Sequence, residues 1–188
     1  MSHYNMYLPS YSIGSDCYSE IPQVTRQYGK TAVVIGGKTA MAKAHDALLK
    51  GIENSQVSIT DFVWFGGDST YENGNMLMEN DAVKKADMIF AVGGGRACDT
   101  AKYVANEMDK PLFCFPTVAS NCASVTAICV MYNPDGSFRD YYYPKLSKHT
   151  FINSDIIADS PAELLWAGIG DALSKECEAV FSSKGAEL

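Results

Sequence analysis

What this chain lacks narrows its role before any motif is considered. It has no excess of positive charge: 15 Lys and Arg stand against 22 Asp and Glu, a formal net charge of −7, and no basic patch stands out. That balance argues against nucleic acid as a partner. No apolar run is long enough to cross a bilayer, so no membrane partner is expected. The opening stretch MSHYNMYLPSYSIGSD has neither a basic segment nor a long apolar core, so no signal peptide is expected. None of the cysteines (Cys17, Cys98, Cys114, Cys122, Cys129 and Cys177) forms a CxxC pair, and several sit in apolar segments. Reduced thiols in a cytoplasmic protein are the expectation. Histidine is scarce, limited to His3, His45 and His149. Repeats and low-complexity segments are missing.

What is present reads as a globular chain, 47% hydrophobic and 20% charged. Its 188 residues suffice for one well-buried domain, or one domain with a fragment of a second. Strand-like runs at Thr31–Ile35, Val57–Phe65, Met88–Val92 and Pro111–Phe115 alternate with helical patterns at Thr39–Gly51, Tyr71–Lys85 and Arg96–Asn106. A short first strand over Tyr4–Pro9, a turn at Ile13-Gly14 and a helix over Cys17–Tyr28 capped by Ser15 or Asp16 precede them. Short, doubly apolar strands predict an α/β fold, a Rossmann-like, mostly parallel sheet with helices on both faces. Further on, Asn133-Pro134-Asp135-Gly136 separates Ala127–Tyr132 from Phe138–Tyr143, the signal of a β-hairpin. After a strand at His149–Asn153, Ser160-Pro161 opens a helix that Gly168-Ile169-Gly170 should break, with a restart at Asp171.

The most informative stretch is ADMIFAVGGGRACDTAK: a buried strand, three glycines, then a helix. Gly93, Gly94 and Gly95 bare the backbone where unpaired helix N–H groups gather, an arrangement that suits a phosphate. On glycines alone, a βα turn that binds nothing fits equally well. Asp99 and Lys102 add polar groups one helical turn apart. Gly36-Gly37, Gly66-Gly67, Gly93–Gly95 and Pro116-Thr117 all fall at strand carboxyl ends, where ligands of such sheets bind.

GGGRACDTAK resembles the GGG-basic-x-x-D-x-x-K signature of the iron- or zinc-dependent alcohol dehydrogenase family, in the branch containing glycerol dehydrogenase. PTVASNCASVTAICVMY is similar to that family's PT-x-A-S-x-x-A-x-x-S/T-A-L-S-V-x-Y block, which holds the nicotinamide and its ribose. The resemblance implies an NAD(P)-dependent oxidoreductase that interconverts an alcohol and its carbonyl compound. It implies cofactor contacts from Gly93, Gly94, Gly95, Arg96 and Asp99. It adds phosphate or ribose contacts from Thr117 and Ser120 and a further cofactor contact from Val118, with Thr126, Ile128 and Tyr132 flanking the nicotinamide. Where glycerol dehydrogenases have an Asp that binds a polyol hydroxyl, this chain has Cys122, whose thiol cannot act as a charged acceptor. That departure resembles a sister group of hydroxycarboxylate dehydrogenases, so a 2-oxo or 2-hydroxy acid joins alcohols and polyols as expected substrates. Gly37 stands where NAD-selective members often carry Asp; with Lys38 beside it the site should admit NADP, although Lys38 also reads as an ordinary solvated lysine.

AGIGDALSKECEA resembles the family's metal-binding segment, which makes Asp171 a ligand to Zn2+ or Fe2+. On spacing alone Asp171 reads as a helix cap. The histidines that complete the family's site do not follow it. The resemblance therefore implies a nucleotide-binding domain over 1–158 and, at 159–188, the beginning of a helical metal-binding domain in an incomplete chain. The final helices should expose apolar surface and favour a homo-oligomer. A non-catalytic NAD(P)-binding module is the alternative. A sugar-phosphate lyase akin to dehydroquinate synthase is a more distant one.

Overall fold

The computed structural model describes residues 8–183. Six parallel strands form the central sheet: β1 (Ser10–Gly14), β2 (Thr31–Gly36), β3 (Ser58–Trp64), β4 (Met88–Gly93), β5 (Leu112–Pro116) and β8 (His149–Asn153), in the order β1-β8-β5-β4-β2-β3. β6 (Cys129–Tyr132) and β7 (Phe138–Tyr142) make a separate antiparallel hairpin. The helices are α1 (Ile21–Thr25), α2 (Lys38–Gly51), α3 (Tyr71–Glu79), α4 (Asp81–Lys85), α5 (Gly95–Glu107), α6 (Ser154–Ala158) and α7 (Ala162–Ser182). No helix among the described residues is long and apolar enough to cross a membrane.

The strands' two-residue period divides their apolar side chains between two cores. Val33 and Ile35 of β2, Ile89 and Ala91 of β4 and Leu112 and Cys114 of β5 face one way, against Ala97, Ala101 and Val104 of α5. Ala32, Val34, Met88, Phe90, Phe113 and Phe115 face the other, against Met41, Ala44 and Leu48 of α2 and against Tyr18 and Ile21. Full burial of each large aliphatic or aromatic side chain stabilises by about 1.5–3 kcal/mol. That is why β2, β4 and β5 read as unbroken apolar runs.

β2 leads through α2 outward to β3, whereas β4 leads through α5 in the opposite direction to β5. The chain thus reverses direction across the sheet between β2 and β4. Their carboxyl ends, Gly36 and Gly93, part there and leave a crevice.

Several boundaries depart from the sequence reading. The first described strand is Ser10–Gly14, so Ile13 and Gly14 end a strand instead of forming a turn. The part of the expected Tyr4–Pro9 strand before Leu8 lies outside the described residues, and Leu8 and Pro9 are not in a strand. Cys17–Tyr28 resolves into a 3-10 turn at Cys17–Glu20 and the short α1; Asp16 precedes the turn but makes no side-chain capping bond. Asn80 divides the helix expected over Tyr71–Lys85. Its extended backbone ends α3, and its Oδ1 accepts from Ala82 N (2.8 Å) and Val83 N (3.3 Å) to start α4.

The break expected at Gly168–Gly170 does not occur. α7 runs without interruption for 21 residues, with Pro161 as its N-cap. The physical reason for Gly168 is proximity: a Cβ there would stand 1.7 Å from the Ala119 carbonyl oxygen, so only glycine lets α7 cross that loop. Asp171 therefore sits inside a helix and caps nothing.

Candidate functional site

The crevice between β2 and β4 opens into a cleft of about 720 Å³. Its floor is backbone. Gly93 has φ +150°, and a Cβ there would meet Ala97 Cβ at 2.9 Å, so glycine is required where β4 turns into α5. Gly94 is the N-cap of α5 in extended conformation and has no side chain with which to cap the helix. The amides of the first turn of α5 have no carbonyl within the helix to bond, and they border the cleft. A Cβ at Gly95 would crowd Asn121 Nδ2 at 2.7 Å, so a larger residue would close the passage between this turn and the facing loop.

On the β2 side, Gly37 is the N-cap of α2 at φ −74°, ψ 144°. Lys38 holds its ammonium 4.6 Å from the centroid of the Trp64 ring, a cation–π contact. Trp64 and Phe65 extend this wall. The opposite wall is the loop after β5, which contributes Thr117, Val118, Ser120 and Asn121. The rim joins α2 to the segment before α7 through an ion pair between Lys43 and Asp159.

Nine sequence-predicted residues share this cleft: Gly37, Lys38, Gly93, Gly94, Gly95, Arg96, Thr117, Val118 and Ser120. Asp99, Cys122, Thr126, Ile128, Tyr132 and Asp171 do not line it. Tyr132 stands behind Arg96: the guanidinium lies 5.0 Å from its ring centroid and 3.3 Å from Asp68 Oδ2, so Arg96 is braced from two directions. Cys122 is exposed at the outer end of the loop.

Asp99 and Lys102 point away from the cleft into the protein. Lys102 is 1% exposed, and its ammonium donates to the carbonyls of Ala123 (2.9 Å), Thr126 (3.3 Å) and Ile128 (2.5 Å). Asp99 Oδ2 accepts from Val130 N at 3.0 Å, and Oδ1 lies 2.8 Å from Lys102 Nζ. An ammonium has three protons, and the three carbonyls engage them. Oδ1 shares that ammonium with the three carbonyls as a close ion pair. Burial pushes the Asp99 carboxyl above the usual carboxylate range, while the lysine beside it pulls the other way. Burial opposes the charge on Lys102 as well, but the Asp99 carboxylate holds its pKa above the ordinary value. Burial pushes the neighbouring Cys129 thiol up to about 12, so at neutral pH it adds no negative charge.

Asp171 lies on α7 with Oδ1 3.2 Å from Lys175 Nζ. No group of three or more His, Cys, Asp or Glu side chains able to hold a metal ion exists among the described residues. One carboxylate beside a cation does not fit a catalytic ion. His149 is buried at the start of β8 and bonds Ser10 Oγ (2.7 Å) and Ser12 Oγ (2.9 Å), while His45 is exposed on α2.

Sequence reasoning missed Trp64, Asn121, Lys43 and Asp159. A tryptophan directly before Phe65-Gly66-Gly67 at a strand's carboxyl end was a usable signal for a cleft wall. Nothing local announces that Lys43 and Asp159, 116 positions apart, form a rim.

Comparison with known proteins adds ancestry to this geometry. The family model for iron-containing alcohol dehydrogenase matches residues 9–154. Glycerol dehydrogenase 1 of Schizosaccharomyces pombe is 35% identical over 162 residues, covering 82% of this chain and 34% of that protein. Hydroxycarboxylate dehydrogenase A of Escherichia coli is 37% identical over 94 residues, covering 50% of this chain and 26% of that one. The crystal structure of glycerol dehydrogenase from Schizosaccharomyces pombe superposes with a TM-score of 0.81 at 29% identity, covering 93% of this chain and 44% of the other. The chain thus spans less than half the length of these relatives.

Proposed function

The chain belongs to the iron-containing alcohol dehydrogenase family, and from that premise we propose that it is the NAD(P)-binding part of a dehydrogenase that interconverts a small alcohol, polyol or 2-hydroxy acid with its carbonyl compound. The observation that carries this reading is the cleft at the chain reversal, floored by Gly93–Gly95 and by the first turn of α5. Its volume suits a cofactor, and its floor offers backbone N–H groups to a pyrophosphate. The bound nicotinamide would supply the hydride chemistry. The residues of the chain bind and orient. Amides of the Gly94–Arg96 turn hold the pyrophosphate, and Arg96, braced by Asp68 and Tyr132, adds positive charge beside it. Thr117 and Ser120 offer hydroxyls to ribose or phosphate.

The cofactor is NADP in preference to NAD. No carboxylate follows β2 to repel a 2′-phosphate, and Lys38 stands at the mouth on the Trp64 face. The described residues up to 158 form the nucleotide-binding unit, and a second, helical unit begins at 159. Zn2+ or Fe2+ is the ion implied by the family. Asp171 is the only residue of the implied set that these residues supply, and they do not hold an ion by themselves. A substrate pocket beside Cys122 would lack the charged acceptor a polyol prefers, and the resemblance to a hydroxycarboxylate dehydrogenase supports a 2-hydroxy acid.

Titration with NADPH and NADH tests the reading. Saturable binding of both, tighter for NADPH, is expected; binding of neither overturns it. Gly37→Asp sharpens the test. A Cβ at Gly37 meets only Ala40 and Phe65 at 3.8 Å, and Asp is a good N-cap, so the variant should fold normally. The added carboxylate should weaken NADPH about tenfold or more relative to NADH, the scale of one charge–charge term in a cleft. An unchanged ratio refutes the assignment of that site.

A further inference from the structure

The buried Asp99–Lys102 pair touches nothing in the cleft, yet it holds the back of the wall that the cleft needs. The segment from Thr117 to Ile128 has little regular structure, only a short 3-10 turn at Ala123–Val125. Its front residues Thr117, Val118, Ser120 and Asn121 face the cleft. From behind, three of its carbonyls converge on one ammonium, and the amide of Val130, two residues beyond it, donates to the carboxylate. Thr150 Oγ1 adds a donor to Ser124 O at 2.9 Å. Three carbonyls meeting at one buried point fix the loop's register, because any slip leaves a desolvated carbonyl without a proton. The charge that makes this point attractive also needs a neutral total, and Asp99, one turn before Lys102 on α5, is the only carboxylate paired with it among the described residues.

We infer that Asp99 and Lys102 are positioning residues: α5 uses its first turn to hold the dinucleotide's phosphates and its second to clamp the Thr117–Ile128 loop and the start of β6, so that phosphate site and nicotinamide wall are set by one rigid helix. This rests on the NAD(P) reading above. It gives the same helix two tasks at a fixed spacing, and it makes the wall's geometry depend on two buried charges that never contact the ligand. Misplacing the wall should harm recognition of the nicotinamide end more than the ADP-ribose end, which keeps its contacts at the glycine turn and at Gly37-Lys38 and loses only those of Thr117 and Ser120.

The test compares two ligands on the whole chain. NADPH carries the nicotinamide; 2′-phospho-ADP-ribose lacks it. Lys102→Met keeps the stem and removes the charge. The variant should lose NADPH affinity about tenfold or more, while the loss for 2′-phospho-ADP-ribose should be smaller by about threefold or more, tenfold being the scale of one or two lost charged hydrogen bonds. The emission of bound NADPH should shift toward that of the free cofactor. Hydrogen exchange at the amides of residues 121–130 should quicken, with the far-UV spectrum unchanged. Should Lys102→Met fail to fold, Asp99→Asn takes its place, since its amide oxygen can still accept from Val130 N. Equal losses for the two ligands, or no loss with unchanged exchange, overturn the proposal. If the unsubstituted chain binds neither ligand, the NAD(P) reading has failed and the positioning role falls with it. Binding by the unsubstituted chain with no discrimination in the variant means the positioning role alone is wrong.

Discussion

Two helices of this molecule show burial and hydrophobic content going separate ways. α5 has nine of its 13 residues buried, from Ala97 to Ala105, including a charged pair. α7 has none of its 21 buried. Yet α7 carries Leu165, Trp166, Ile169, Leu173, Val180 and Phe181, exposed between 42% and 80%. The small residues of α5 let it lie close against β4 and α3. The large residues of α7 have nothing within the described chain to cover them. Burial is thus a property of what lies opposite a helix, and hydrophobic content alone does not confer it. An uncovered face of this kind favours association.

The largest expected effect breaks the comparison at matched chemistry. Phe90→Ala, at a fully buried position in β4, should cost about 3–5 kcal/mol of stability, whereas Phe181→Ala should cost less than about 0.5 kcal/mol. Urea denaturation of the two variants measures the difference, and light scattering should show less self-association for Phe181→Ala. A comparable loss from both would mean that α7 is packed against something in solution.

Next in size is the place where Gly168 of α7 meets the loop after β5. Gly168→Ala puts a Cβ 1.7 Å from Ala119 O and must move either α7 or the cleft wall, so it should destabilise by about 1–3 kcal/mol as an overpacked contact does. Gly170→Ala meets nothing within 4 Å and should stabilise by about 0.5–1 kcal/mol through helix propensity. Thermal melts of the pair separate a glycine required by contact from one that merely sits in a helix. NADPH affinity should fall in the first variant and hold in the second.

The smallest effect concerns pH at the far edge of the sheet. Ser10 Oγ donates to Lys148 O, so His149 Nδ1–H donates to Ser10 and Nε2 accepts from Ser12. Burial holds the His149 pKa below its ordinary value of 6.5. The unfolded chain then binds a proton more readily than the folded one, so stability is full above about pH 6.5 and declines as pH falls through the lower folded value. His149→Gln should flatten this decline in denaturation curves taken across that range. An unchanged slope would assign the decline to other groups.

Much of the sheet was legible because its strands are doubly buried. Runs such as Ala32–Ile35 and Met88–Val92 must be apolar on both faces, and the glycines that end them mark the crevice. The glycine turn was legible for the same reason, since Gly93 and Gly95 stand where a side chain would collide. The interior role of Asp99 and Lys102 was not legible. Their spacing shows that they share a helix face, but not whether that face looks onto ligand, solvent or a loop 21 to 31 positions later. Gly168 misled for a related cause: a glycine that breaks a helix and one that lets a helix cross a backbone are identical in sequence.

The sequence by itself determined the alternation of strand and helix, the parallel sheet, the glycine turn at its reversal and the family, because these depend on local periodicity and on residues whose sterics admit few alternatives. Only the tertiary structure decided which polar side chains face the cleft, which clamp the loop behind it, and that α7 runs through its glycines with its apolar face uncovered. Those outcomes depend on what lies across a gap from each residue, and a pattern along one strand or helix carries no information about its opposite wall.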